Sequence, residues 1–252
     1  RPTWKSTLVQ EMDHWLKALI AAGRAEGLTS GLEAISSKEA AALCALPETL
    51  QESEAVLRAW ESAEVSLQQA HVRIERAASE GAEGGELGSL ATSCCEAFTV
   101  ATSAGLKEMP QWKRRLGNAH DQWLNQVIRE GVSRELSRAL QRTDSARDTL
   151  NFDVPCGQHA ANRALAKWEA CEAAIDDVVQ TSSALEGANA VGEAVSRLHA
   201  ALKEAASAGL RLAVQTKEVL SEMCSVWLTS LVSDGNADAL QHGFQAVDEA
   251  CE

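Results

Sequence analysis

Displaced by 108 positions, this sequence matches itself without a gap from Pro2 to Glu64. Pro2 meets Pro110, Trp4 meets Trp112, Lys5 meets Lys113, Leu8 meets Leu116 and Asp13 meets Asp121. Trp15, Leu16, Ile20 and Gly23 fall on Trp123, Leu124, Ile128 and Gly131. The run continues through Leu28, Leu32, Ser37, Pro47, Leu57, Trp60, Glu61 and Glu64, to give 17 identities in 63 positions. Unrelated chains of ordinary composition would share roughly four. A four-residue deletion then moves the offset to 104, where Ser103-Ala104-Gly105-Leu106 meets Ser207-Ala208-Gly209-Leu210. At that offset Lys217, Leu220, Trp227, Leu228, Gly235 and Leu240 echo Lys113, Leu116, Trp123, Leu124, Gly131 and Leu136. All four prolines and all seven tryptophans fall on these phased positions. Such a chain must solve the same packing problem more than once.

The residues that recur are helical ones. Ala, Leu, Glu and Ser dominate, Tyr is absent and Phe occurs three times, so an all-α class follows. One repeat reads as four helices. The first runs from about Pro2 to Ala22, with Trp4, Leu8, Met12, Trp15, Leu19 and Ile20 on one face. Pro2 suits the first turn, where a missing N–H costs nothing, and Gly23 suits the left-handed residue just past a helix end. A second, shorter helix is expected near Leu28 to Ala45. Pro47 opens a third, carrying Leu50, Leu57, Trp60, Leu67 and Ile74, which ends in the glycine-rich stretch Gly81 to Gly88. The fourth, about Leu87 to Lys107, places Leu87, Leu90, Cys94, Phe98 and Ala101 on its apolar face.

These observations divide the chain into repeat 1 (residues 1–108), repeat 2 (109–212) and a partial repeat 3 (213–252). Each repeat is expected to be a four-helix bundle or a solenoid unit sharing its core with its neighbours, in an elongated array. Periodicity is unbroken from about Ala190 to Ser233, with no proline at the second junction. One long helix is therefore expected to bridge repeats 2 and 3, whereas Pro110 should bend or break the first junction.

A formal net charge of −13 argues against nucleic acid as a main partner, and no apolar run approaches the roughly 18 residues of a membrane span. The first residue is Arg1 rather than Met, and the last repeat is incomplete, which suggests a processed chain cut from a longer array. None of the six asparagines opens a glycosylation sequon, no CxxC occurs, and seven cysteines leave at least one unpaired. A reducing intracellular compartment is the expectation.

Each candidate site in the sequence has a plainer reading. Glu11-x-x-His14 has the spacing of a metal-ligand pair on one helix face, but repeat 2 has no such pair in register, so solvated polar faces explain it better. Cys44, Cys94, Cys156 and Cys171 align with Phe152, Leu198, Glu48 and Ala63; most of these equivalents are apolar, which fits small core fillers. Only the adjacent Cys94 and Cys95 invite a reactive reading. Gly81, Gly84, Gly85 and Gly88 precede a helix, yet no strand precedes them and no Lys-Ser follows, so they read as a loop. No metal, cofactor or catalytic group is expected.

Charge is unevenly spread: net −7 in repeat 1, zero in repeat 2 and −6 in the remainder. Arg134, Arg138 and Arg142 step by four along one helix face. That stripe is either a solvated face paired with Glu130 and Glu135 or a docking face for an acidic protein. Trp4, Trp15, Trp60, Trp112, Trp123, Trp168 and Trp227 are the expected structural core. The leading functional expectation is a non-enzymatic scaffold that holds other proteins, or copies of itself, in a large complex. The alternative is a helical carrier that opens around an apolar ligand such as a lipid or pigment.

Overall fold

A computed structural model describes residues 4–37, 47–107, 109–182, 188–211, 214–233, 235 and 240–245. Pro2, Cys44, Cys251 and the later part of the expected second helix lie outside them. The described residues are helical, with no strand among them. In chain order the helices are α1 (Trp4–Ala22), α2 (Ala25–Ile35), α3 (Leu50–Ser79), α4 (Gly84–Ser103), α5 (Pro110–Glu130), α6 (Ser133–Leu150), α7 (Gln158–Ser182), α8 (Ala188–Ser207) and α9 (Val214–Ser233). Residues 240–245 add a further helical turn. Among the described residues no helix is long and apolar enough to cross a membrane.

The chain forms two compact units. The first contains Arg1–Trp123 and Arg142–Cys156, the second Leu124–Gln141 and Gly157–Glu252. Two of their limits fall inside α5 and α6 and the third between α6 and α7, none at the end of a sequence repeat.

In the first unit α3 and α4 make a hairpin, with α1 and α2 packed on α3. The 30-residue α3 buries Ser53, Trp60, Leu67 and Ile74, a seven-residue spacing that keeps one seam facing its partner. Opposite them α4 buries Leu87, Ala91, Cys94, Phe98 and Ala101. The small residues among these let the two backbones approach closely. Trp60 fills the lower end of the hairpin, and its indole Nε1–H donates to the Ala104 carbonyl at 2.7 Å.

The second unit repeats these devices with its own residues. Helices α7 and α8 pack together, and α9 packs on α8. Trp168 is fully buried and its Nε1–H donates to the Ala208 carbonyl at 2.8 Å. In the first unit Gly23 closes α1 at φ +68° and its carbonyl accepts the Lys107 N–H at 3.0 Å. In the second, Gly131 closes α5 at φ +70° and accepts the Arg211 N–H at 2.7 Å. Both glycines are doubly required: the backbone is left-handed there, and a Cβ on either would collide with the carbonyl of Gly105 or Gly209.

The single helix expected from Ala190 to Ser233 does not form. Helix α8 stops at Ser207 and α9 begins at Val214. Gly209 turns left-handed, at φ +79°, and the Leu210 N–H returns to the Ala205 carbonyl at 3.0 Å. The end of α4 is built alike, with Gly105 at φ +94° and the Leu106 N–H on the Ala101 carbonyl at 3.2 Å. This closing motif satisfies the last carbonyls of a helix and turns the chain away. The terminator is therefore the Ser-Ala-Gly-Leu sequence, which works without the proline at position 110.

Candidate functional site

Each unit uses the same way of seating a helix on the hairpin before it. In the first unit Trp112, Leu116, His120 and Trp123 form one buried stripe along α5, spaced so that all face α3 and α4. The Trp112 and His71 rings meet edge to face with centroids 6.4 Å apart, and the Arg115 guanidinium lies over the indole at 4.4 Å. Trp123 lies on Gly88, where a Cβ would stand 2.7 Å from the indole Cε2. In the second unit Trp227 lies on Gly192, again with a Cβ 2.7 Å from Cε2. Nothing larger than glycine fits under either ring at that separation.

Beside the first of these contacts is a cavity of about 700 Å³. Thr99, Val100, Trp123, Ala146 and Leu150 contribute to its walls, and Arg142 stands among its lining residues. At its inner edge Cys95 Sγ lies 3.4 Å from His120 Nε2, and His120 Nδ1 lies 2.9 Å from the Thr143 hydroxyl. The Phe152 ring stacks on the imidazole at 5.1 Å. His120 and Thr143 are buried, while Cys95 is half-buried.

Burial sets the protonation of this chain of groups. It pushes the Cys95 thiol up to about 12, with smaller contributions from Cys94 and Glu96, and it pulls the His120 imidazole down to about 4. Both are neutral near pH 7. The tautomer that satisfies all three groups puts the ring proton on Nδ1, donated to Thr143, while Nε2 accepts the thiol hydrogen. Only about one thiol in 10⁵ is ionised at pH 7 when its pKa is about 12. The pair is thus a hydrogen bond in an apolar wall and not an ion pair poised for attack.

Self-alignment by identity does not reveal this pair. Cys95 and His120 stand 104 positions before His199 and Cys224, so thiol and imidazole change places between the two units. The burial pattern is kept: His199 is half-buried like Cys95, and Cys224 is buried like His120.

The sites expected from sequence fall as follows. Arg134, Arg138 and Arg142 are all exposed along α6. Arg138 pairs with Glu135 at 2.7 Å, and Arg142 borders the cavity. His14 and Glu11 are exposed, and no group of three ligand residues able to hold a metal occurs among the described residues. Cys94 and Cys171 are buried and free, Cys156 is free and exposed, and Cys224 is buried. Burial raises the Cys94 thiol to about 11.

Of the seven tryptophans expected in the core, Trp60, Trp112, Trp123 and Trp168 are buried and Trp227 is partly so. Trp4 and Trp15 are not: 63% and 45% of their surfaces remain exposed, against 5% for each of Trp112 and Trp123. The reason is local. Trp112 and Trp123 are covered by α3 and α4, whereas the corresponding face of α1 has no such hairpin among the described residues. Comparison of this chain with protein families, curated proteins and solved structures gave no match.

Proposed function

We propose that this chain is a non-enzymatic scaffold, an array of four-helix repeats of about 108 residues that mediates protein–protein contacts within a larger assembly. One observation carries the reading: the same contacts recur at the repeat spacing in both units. Trp60 on Ala104 is matched by Trp168 on Ala208, Gly23 on Lys107 by Gly131 on Arg211, and Gly88 under Trp123 by Gly192 under Trp227. Surfaces meanwhile diverge, as the exposed arginines of α6 illustrate. At Arg134, Arg138 and Arg142 repeat 1 has Glu26, Ser30 and Ala34. A conserved interior with free exteriors is what a spacer or scaffold needs.

Native mass spectrometry of the chain, purified gently from its source, tests this. The expected result is a protein partner, or further copies of the chain, held at fixed stoichiometry and lost when Arg134, Arg138 and Arg142 are all replaced by Glu. If the triple replacement leaves every association unchanged, the arginine face has no part in it. If no association exists at all, the scaffold reading fails.

The cavity favours a second reading, a carrier of an apolar ligand. Its walls are largely hydrocarbon, and Arg142 offers one cation to an anionic head group. Saturable binding of a fluorescent fatty acid, abolished by Ala146→Trp, would support it. Binding that survives Ala146→Trp would place the probe elsewhere and remove this reading.

A further inference from the structure

The first helices of the three repeats carry one face in common. Trp4, Leu8, Met12 and Trp15 on α1 correspond to Trp112, Leu116, His120 and Trp123 on α5, and Leu8, Met12 and Trp15 to Leu220, Cys224 and Trp227 on α9. On α5 all four are buried against α3 and α4, and on α9 Leu220 and Cys224 are buried. On α1 the two tryptophans are exposed, with Leu8 and Met12 between them only half-buried. Two large aromatic rings on one helix face make an exposed apolar patch of the kind that marks an interaction surface.

We propose that this face of α1 docks a helix of the α4 and α8 type, supplied by a hairpin like that of α3 and α4. This rests on the repeat reading given above. What covers the face is read from its two covered counterparts. Trp123 and Trp227 each rest on a glycine one to two turns into a helix, at Gly88 and Gly192. The partner helix therefore carries a glycine beneath Trp15. Eleven residues before Trp123 and Trp15 stand Trp112 and Trp4. The partner's longer helix covers Trp4 as α3 covers Trp112 with His71.

A third feature narrows the partner further. The position that holds His120 faces Cys95, and at the repeat spacing Cys224 falls on His120 and His199 on Cys95, so one thiol and one imidazole occupy these two positions in each unit. On α1 the position of His120 is taken by Met12, whose thioether offers no hydrogen to donate and accepts only weakly. An apolar residue is its proper mate, so the partner helix has neither cysteine nor histidine there.

The test appends a copy of residues 47–109 ahead of Pro2 in the full chain, which reproduces the junction found before Pro110. Hydrogen exchange is then followed across residues 4–22. The appended hairpin should slow exchange of α1 by at least about tenfold, and Gly88→Leu within the appended copy should abolish the effect. Cys95→Leu in that copy should increase it, because leucine suits Met12; equal or weaker protection would overturn that matching. If α1 exchanges as it does in the parent chain, the docking proposal is wrong. It is equally wrong if the parent chain proves to be a dimer that Trp15→Glu dissociates, since a second α1 is then the occupant. Gly88→Leu and Gly192→Leu in the parent chain distinguish the two levels of failure. Each should speed exchange in α5 or α9; if neither does, the repeat reading itself fails, whatever the fusion shows.

Discussion

Lowering the pH through the range of histidine titration should weaken the first unit, and the part of the effect that His120 contributes should vanish in His120→Gln. In the fold His120 is 2% exposed. It sits between Cys95, Thr143, Trp123 and the Phe152 ring, so the charged imidazolium would have no counter-ion among these contacts. Burial lowers its pKa from 6.5 to about 4. A group whose folded pKa is depressed stays neutral in the native state while the unfolded state takes up protons. The stability it allows is therefore complete above pH 6.5 and declines as the pH falls towards 4. Each pKa unit corresponds to about 1.4 kcal/mol, so the loss approaches about 2 kcal/mol at pH 5 and about 3 kcal/mol below pH 4.

Equilibrium urea unfolding at pH 7, 6, 5 and 4.5 would measure this, with parent and variant compared at each pH. Carboxylates that also titrate there contribute equally to both proteins and drop out of the difference. Glutamine keeps a donor and an acceptor near the ring nitrogens but cannot be protonated in this range. At pH 7 His120→Gln should be the less stable protein, through imperfect stacking on Phe152. By pH 4.5 the gap should narrow by about 2–3 kcal/mol or reverse. Parallel pH curves for the two proteins would refute the account of His120 as a buried, neutral imidazole.

Trp60→Phe and Trp168→Phe should each cost about 1–2 kcal/mol by deleting the indole N–H bond to Ala104 or Ala208. Their effects on thermal unfolding should be additive, because the residues lie in different units; a large coupling would contradict that separation. Thiol labelling with a disulfide reagent at pH 8 should modify the exposed Cys156 first and the half-buried Cys95 far more slowly, since burial holds its thiol up to about 12. Preferential labelling of Cys95 would mean that its bond to His120 activates it.

Features set by the chain's own neighbourhood were legible in the sequence. Gly23 and Gly131 are the residues just past α1 and α5, as the pattern of a periodic run followed by glycine predicts. The third helix ends at Ser79, just before the glycine-rich stretch, but that stretch is not the expected loop throughout: the fourth helix begins at Gly84 and takes in Gly84, Gly85 and Gly88. The bridging helix failed because unbroken apolar periodicity outweighed a single glycine in the reading. Yet the match of Ser207-Ala208-Gly209-Leu210 to the first helix end already contained the stop. Trp4 and Trp15 look identical in sequence to Trp112 and Trp123, but burial depends on what lies opposite, which a one-dimensional pattern does not encode. The Cys95–His120 contact escaped for a different reason. Aligning a chain with itself rewards identity, and at the repeat spacing the two residue types change places, His199 for Cys95 and Cys224 for His120.

That exchange gives the repeats an order. Were the hairpin containing Cys95 followed by the helix containing Cys224, two thiols would face each other, open to oxidation into a cross-link. Were the hairpin containing His199 followed by the helix containing His120, a second ring would have to fit where the smaller Cys95 now lies 3.4 Å from Nε2. In the first unit the hairpin and the helix that follows it are thus fitted to each other where Cys95 meets His120, and replacing either element alone by its counterpart from the next repeat would change that contact.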